Sequence, residues 1–135
     1  MKFIFVDTNA WIALNSKRDH WHTKAVEINK QLLNEGFRYL TTSYVLDESY
    51  TGLRKVAHSV VVDFGERIQT SRLVQVIRID EDIENLAWEL FKQYSDKQFS
   101  FTDCTSFVVM KRFNLIQTFT NDRHFEQMGF QKLLK

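Results

Sequence analysis

The chain has 135 residues, enough for one domain (residues 1–135) whose core needs neither disulfides nor a structural metal. Its 18 Lys and Arg nearly balance 17 Asp and Glu, so bulk positive charge is excluded as a means of holding a polyanion. With no proline, four glycines and one cysteine, flexible linkers, low-complexity tails and an intramolecular disulfide are excluded as well, and a reducing cytoplasm fits.

Phe3, Ile4, Phe5 and Val6 form an unbroken apolar run, the pattern of a parallel strand covered on both faces. The run is too short for a signal peptide, and no apolar stretch nears the ~20 residues that cross a bilayer. No membrane partner is therefore expected. Asp7, Thr8 and Asn9 stop the strand and supply N-cap residue types for a short helix through Leu14. A polar loop covers 15–19.

A helix over about 21–35 follows, with Ala25, Ile28 and Leu32 on one face and Gly36 at its C-terminal stop. Residues 39–42 read as a strand. Ser43 is placed to cap the next helix, where Val45, Leu46, Ser49, Tyr50, Leu53 and Val56 share a face. Ala57, Val60, Val61, Phe64 and Ile68 outline another helical stretch, one that packs on the core, covers a partner or forms a dimer contact. Residues 73–79 read as a strand, and Asp80 opens a helix carrying Ile83, Leu86, Ala87, Leu90 and Phe91. Ser100 or Thr102 caps a helix to about Phe113. Residues 115–120 are a strand, Asn121 and Asp122 a turn, and 130–134 a last possible strand. The alternation predicts an α/β fold with a mainly parallel central sheet of four to five strands flanked by helices.

Four acids fall at telling places. Asp7 and Asp122 follow strands, Asp103 lies in the first turn of its helix, and Glu48 lies just over one turn into the helix after the second strand. Ligands of open parallel sheets collect outside the carboxyl ends of strands, where strand order reverses. At 100° per residue, Glu48 borders the buried face, and Gly52 removes bulk beside it. Each like-charged pair at ~4 Å and an effective dielectric of ~20 costs about 4 kcal/mol, so a converged set calls for a cation. An all-oxygen set suits Mg²⁺ or Mn²⁺. Thr8, Asn9, Thr102 and Asn121 adjoin three of the acids and can hydrogen-bond a carboxylate or bound water.

Each acid also has a plainer reading. Asp7 could cap a helix, Asp103 complement its dipole, Asp122 serve a turn, and Glu48 sit in solvent. His20 and His22 are two apart and share no helical face. His58 and His124 show no second ligand, so surface roles are expected. Cys104 reads as a small buried residue, since no pairing His can be named.

Taken together, the sequence resembles the PIN-domain family, most of all its VapC-type toxins, over nearly the full chain. The resemblance lies in Phe5, Val6, Asp7, Thr8 and Asn9 at the start and in the stretch from Thr42 through Asp47 to Glu48. It continues in Phe101, Thr102 and Asp103, and in Thr120, Asn121, Asp122, Arg123, His124 and Phe125. The acids are 41, 55 and 19 positions apart (7 to 48, 48 to 103, 103 to 122). The resemblance implies a PIN-like nuclease domain and a metal-dependent endoribonuclease whose products carry 5′-phosphate and 3′-hydroxyl ends. By the same resemblance, Asp7, Glu48, Asp103 and Asp122 are the expected metal ligands. It further implies a homodimer held inactive by a cognate antitoxin.

Arg123 is the first candidate for a substrate phosphate because it adjoins Asp122, with Lys17, Arg18, Arg54, Lys55, Lys111 and Arg112 behind it. Trp11, Trp21 and Tyr44 are candidates to stack on bases, though core packing is preferred for each. Two rival readings use the same scaffold: an RNA-processing or structure-specific DNA nuclease outside a toxin–antitoxin pair, and a module that binds RNA or protein without cutting.

Overall fold

The computed structural model describes residues 2–135. Five strands, β1 (Lys2–Val6), β2 (Phe37–Thr42), β3 (Val74–Ile77), β4 (Gln117–Phe119) and β5 (Gln131–Lys132), form one sheet in the order β3-β2-β1-β4-β5. Every neighbouring pair is parallel. Burial on both faces explains the unbroken apolar run of β1, where Ile4, Phe5 and Val6 are fully buried.

Among the described residues, seven helices flank the sheet. α1 (Thr8–Asn15) packs against both α2 (His22–Asn34) and α3 (Ser43–Arg54), and α3 packs against α4 (His58–Thr70). α5 (Glu81–Gln93) and α6 (Phe101–Arg112) pair closely, and α7 (Arg123–Gln127) follows β4. α6 is the central helix, with residues 103–110 buried all round, which is why it lacks an amphipathic stripe. Phe107 joins Phe99, Phe125 and Phe130 in one aromatic knot of the core.

The expected elements are present, and the differences have local causes. Thr42 caps α3, accepting from the Val45 amide at 3.1 Å. Ser43, expected in that role, accepts from the Ile79 amide at 3.0 Å instead and ties α3 to the exit of β3. Ser100 is the cap of α6, in a reciprocal box with Asp103. The turn after β4 continues into the unforeseen α7, whose single turn is too short to show a period. The 57–70 stretch packs on the core: Phe64 and Ile68 are buried, and Phe64 meets Trp11 and Tyr50. Gly36 takes φ 87° past α2, as the C-terminal stop requires.

The chain runs outward from β1 to β3, then returns to the other side of β1 to make β4. Strand order therefore reverses between β1 and β4, and both strands point the same way. Whatever follows them meets at one rim.

Candidate metal centre

Asp7 leaves β1 and Thr120 leaves β4, side by side at that rim. Strand pairing sets Val6 opposite Phe119, and the Asp7 amide donates to the Phe119 carbonyl at 3.1 Å. Asp7 occupies the N-cap position of α1, yet its side chain accepts no capping hydrogen bond. Its Oδ2 is taken instead by the Thr120 hydroxyl at 2.9 Å and the Asn9 amide at 3.1 Å. Asn9 also donates to Thr120 Oγ1 at 2.7 Å and accepts from the Asn121 amide at 2.9 Å.

Asp103 enters on the first turn of α6. Its amide donates to Ser100 Oγ at 3.0 Å, and its Oδ2 accepts from the Ser100 amide at 3.0 Å. The same oxygen lies 3.0 Å from His124 Nδ1. Asp122 caps α7 by accepting the His124 amide at 2.9 Å, and its amide donates to Thr120 Oγ1 at 3.1 Å. Asp122 Oδ1 lies 3.3 Å from the same His124 nitrogen. Asp103, Asp122 and His124 thus offer ligand atoms all within 4.8 Å of one another.

The electrostatics fit a site short of positive charge. Burial pushes the Asp7 carboxyl up to about 7, and the charges of Asp103 and Asp122 add to the rise against the Thr8 amide and the Thr120 hydroxyl. Asp103 is raised in the same way, by burial first and by Asp122 next, against its bonds to Ser100 and His124. Buried acids whose proton affinity is raised by neighbouring carboxylates are a donor set that a divalent cation fits.

Glu48 stands apart from this core. It is exposed, where the helical wheel had set it at the buried edge, and it reaches the rim through Thr8, whose hydroxyl donates to its Oε1 at 3.0 Å. Gly52 does not make room for Glu48; it faces α1, where an added Cβ would meet Ile12 Cδ1 at 2.5 Å. The Thr8 and Asn9 side chains hydrogen-bond carboxylates. Thr102 offers its carbonyl to Thr105, and Asn121 uses its backbone.

His124, expected at the surface, is drawn in between two acids with its ring edge-on to Phe99. Thr120 and Ser100 complete the scaffold. The clue to His124 was its place two residues after Asp122, inside the turn that Asp122 caps, but a spacing of two without a known helix carries little weight.

Arg123 is exposed on the first residue of α7. Trp11 is core: it is 4 % exposed and its indole donates to Thr41 Oγ1 at 3.2 Å. Tyr44 hydrogen-bonds Glu84 beside Phe101. Cys104 is buried, and burial lifts its thiol to about 11, which removes it as a nucleophile. The cleft lined by Ser43, Leu46, Tyr50 and Arg78, and that lined by Trp11, Val26 and Phe64, contain none of the four acids. At the rim Asp7 and Asp103 are buried, Asp122 keeps 28 % of its side chain exposed, and Glu48 is exposed.

A wholly parallel α/β sheet with clustered acids at its reversal point defines a class of carboxylate-centred domains. The chain belongs to the PIN-domain family, whose sequence profile matches residues 4–131. It is 32 % identical over 128 residues to the 23S rRNA-specific endonuclease VapC20 of Mycobacterium tuberculosis, covering 94 % of this chain and 95 % of that one. The crystal structure of that protein, described as a Sarcin-Ricin loop cleaving toxin, superposes with a TM-score of 0.86 at 31 % identity, over 98 % of this chain and 99 % of that one. A VapC ribonuclease of Archaeoglobus fulgidus is 30 % identical over 112 residues, 82 % of this chain and 71 % of that one. VapBC2 of Rickettsia felis, solved with a DNA fragment from its promoter, shares the fold at 15 % identity with a TM-score of 0.70, over 97 % of each chain.

Proposed function

We propose that this protein is a divalent-metal-dependent endoribonuclease and the toxin of a type II toxin–antitoxin pair. The observation that carries the reading is the pairing of Asp103 and Asp122 at the carboxyl rim, with Asp7 near enough that their charges raise its proton affinity. Those three and Glu48 are the ligands of Mg²⁺ or Mn²⁺, directly or through water. A divalent ion held there would supply Lewis acidity at the phosphodiester and would lower the pKa of a water so that it could lose its proton near neutral pH.

The chain's own groups do the rest. Thr120 and Asn9 hold Oδ2 of Asp7, and Ser100 holds Asp103, so two carboxylates are set before a cation arrives. Thr8 restrains the exposed Glu48 at the edge. Arg123, beside Asp122, is the first candidate to engage a substrate phosphate. The substrate is RNA, as for the Mycobacterium tuberculosis relative, and it approaches from the side of the exposed Glu48 and Arg123.

A cognate antitoxin and a second copy of the chain are the protein partners of this reading. Trp88 and Phe91 are 51 % and 40 % exposed on α5 and stack on one another, an apolar patch of the kind that protein contacts cover. No helix among the described residues is long and apolar enough to cross a membrane. The cytoplasm, where RNA substrates are made, is the proposed place of action.

The test is cleavage of 23S rRNA and of an isolated sarcin–ricin hairpin with Mg²⁺, with Mn²⁺ and with chelator. Metal-dependent cuts bearing 5′-phosphates are expected. RNA left intact under all three conditions, by a folded chain, overturns the assignment. Growth arrest on expression, relieved by the product of an adjacent small reading frame, separates a toxin from a processing enzyme.

A further inference from the structure

The geometry points to a nitrogen donor beyond the four carboxylates: we infer that His124 binds the divalent ion directly through Nδ1, beside Asp103 and Asp122. The resulting mixed oxygen and nitrogen set favours a transition ion over Mg²⁺. This rests on the metal-site reading above.

The first argument is distance. His124 Nδ1 is 3.0 Å from Asp103 Oδ2 and 3.3 Å from Asp122 Oδ1. Metal–ligand bonds of about 2.1 Å place adjacent donors of an octahedron about 3.0 Å apart. The nitrogen is therefore already spaced from each carboxylate oxygen like a neighbouring corner of one coordination shell, and the ligand atoms of all three residues lie within 4.8 Å of one another. An ion can replace the hydrogen bonds with little side-chain movement. Among the described residues, this is the one group of three His, Cys, Asp or Glu whose ligand atoms come so close.

The second argument is restraint. The His124 amide is fixed on Asp122 Oδ1 at 2.9 Å, so ring and carboxylate share one turn. The ring packs edge-on to Phe99, centroids 5.6 Å apart, and Phe99 is itself 6 % exposed. With 18 % of its side chain exposed, His124 has little freedom to lose on binding. Nδ1 presents its lone pair whenever Nε2 carries the proton.

The third argument is chemistry. Mg²⁺ is hard, prefers oxygen and sheds water reluctantly, whereas imidazole suits ions such as Zn²⁺ and Fe²⁺. Four carboxylates alone would be neutral toward that choice or favour Mg²⁺. One imidazole in the shell tilts it the other way.

The test uses Mn²⁺ as a paramagnetic probe of the full chain. Echo-modulation EPR should show nitrogen coupling to Mn²⁺ in the wild type and none in His124→Gln. Calorimetry should find Mn²⁺ affinity reduced about tenfold or more by His124→Gln, and Mg²⁺ affinity changed by no more than about threefold. Bound Mn²⁺ without nitrogen coupling overturns the inference and leaves the carboxylate centre standing. Equal losses for both ions also overturn it, since a histidine that only hydrogen-bonds the acids would affect both alike. If neither ion binds the wild type, both readings fall. Should His124→Gln fail to fold, wild-type chain labelled with ¹⁵N-histidine gives the same decision, because a ligand nitrogen must change its coupling pattern with the isotope.

Discussion

The Thr120 hydroxyl donates to Asp7 Oδ2 at 2.9 Å, joining residues 113 positions apart across the reversal point of the sheet. Thr120 Oγ1 in turn accepts from Asn9 Nδ2 and from the Asp122 amide, so one hydroxyl orients the loops that follow both β1 and β4. Thr120→Val keeps the shape and deletes these bonds. Cleavage should fall about 10–100-fold, with metal affinity falling in parallel. Stability should drop by about 1–3 kcal/mol, because buried donors lose their acceptor. Wild-type metal affinity in a folded Thr120→Val protein would remove Thr120 from the site.

Asp7 also makes stability depend on pH. Its carboxyl titrates near 7 when folded, against 3.8 ordinarily, because burial disfavours its charge. Between those values the folded chain holds a proton that the unfolded chain has lost. Stability of the metal-free protein should therefore fall as pH rises from about 4 to about 7, then level off. A three-unit rise at ~1.4 kcal/mol per unit bounds the loss at about 4 kcal/mol. Asp103, raised too, acts in the same direction. Urea melts of chelated protein at pH 5 and pH 8 read this out, and Mn²⁺ should reverse the trend by competing with the proton. Chelated protein that is steadier at pH 8 would contradict the description of the site.

Asp7→Asn follows from the same account. The amide oxygen still accepts from Thr120, and the buried charge is gone. The metal-free variant should melt higher than wild type at pH 8 while its cleavage falls at least ~100-fold, a loss of about 2.7 kcal/mol of transition-state stabilisation. A variant that melts lower and still cuts RNA would refute both halves.

The contact between α1 and α3 offers a test remote from the acids. A Cβ on Gly52 would meet Ile12 Cδ1 at 2.5 Å, and α1 carries Thr8 and Asn9 at its start. Gly52→Val should cost about 1–3 kcal/mol through overpacking. Adding Ile12→Ala should recover part of that loss, a coupling that a double-mutant cycle measures. Strict additivity of the two changes would mean that the helices do not press together there.

At Ser100 the prediction is smaller. Ser100→Ala removes the side-chain half of the capping box and leaves the Ser100 amide on Asp103 Oδ2. Chemical denaturation should show a loss of about 1 kcal/mol. Cleavage should suffer less than in Thr120→Val, since the carboxylate keeps its backbone donor.

Much of this architecture was legible in one dimension. Unbroken apolar runs marked strands covered on both faces, apolar residues three and four apart marked helices, and acids just beyond strand ends marked the rim. Local pattern sufficed because periodicity and caps are properties of neighbouring residues. It failed where one turn was too short to show a period, as in α7, and where a helical wheel had to judge exposure, as for Glu48. Gly52 was misjudged because its partner, Ile12, lies on another helix.

The sequence by itself determined that acids would stand at the ends of parallel strands in an α/β fold. Tertiary structure alone decided which of them meet, that Thr120 would serve Asp7, that Glu48 would stay at the margin, and that His124 would stand between Asp103 and Asp122. The reason is physical: a chain's periodicity chooses its helices and strands, but contacts between residues 21 or 113 positions apart depend on strand order and register, which only the packed core selects.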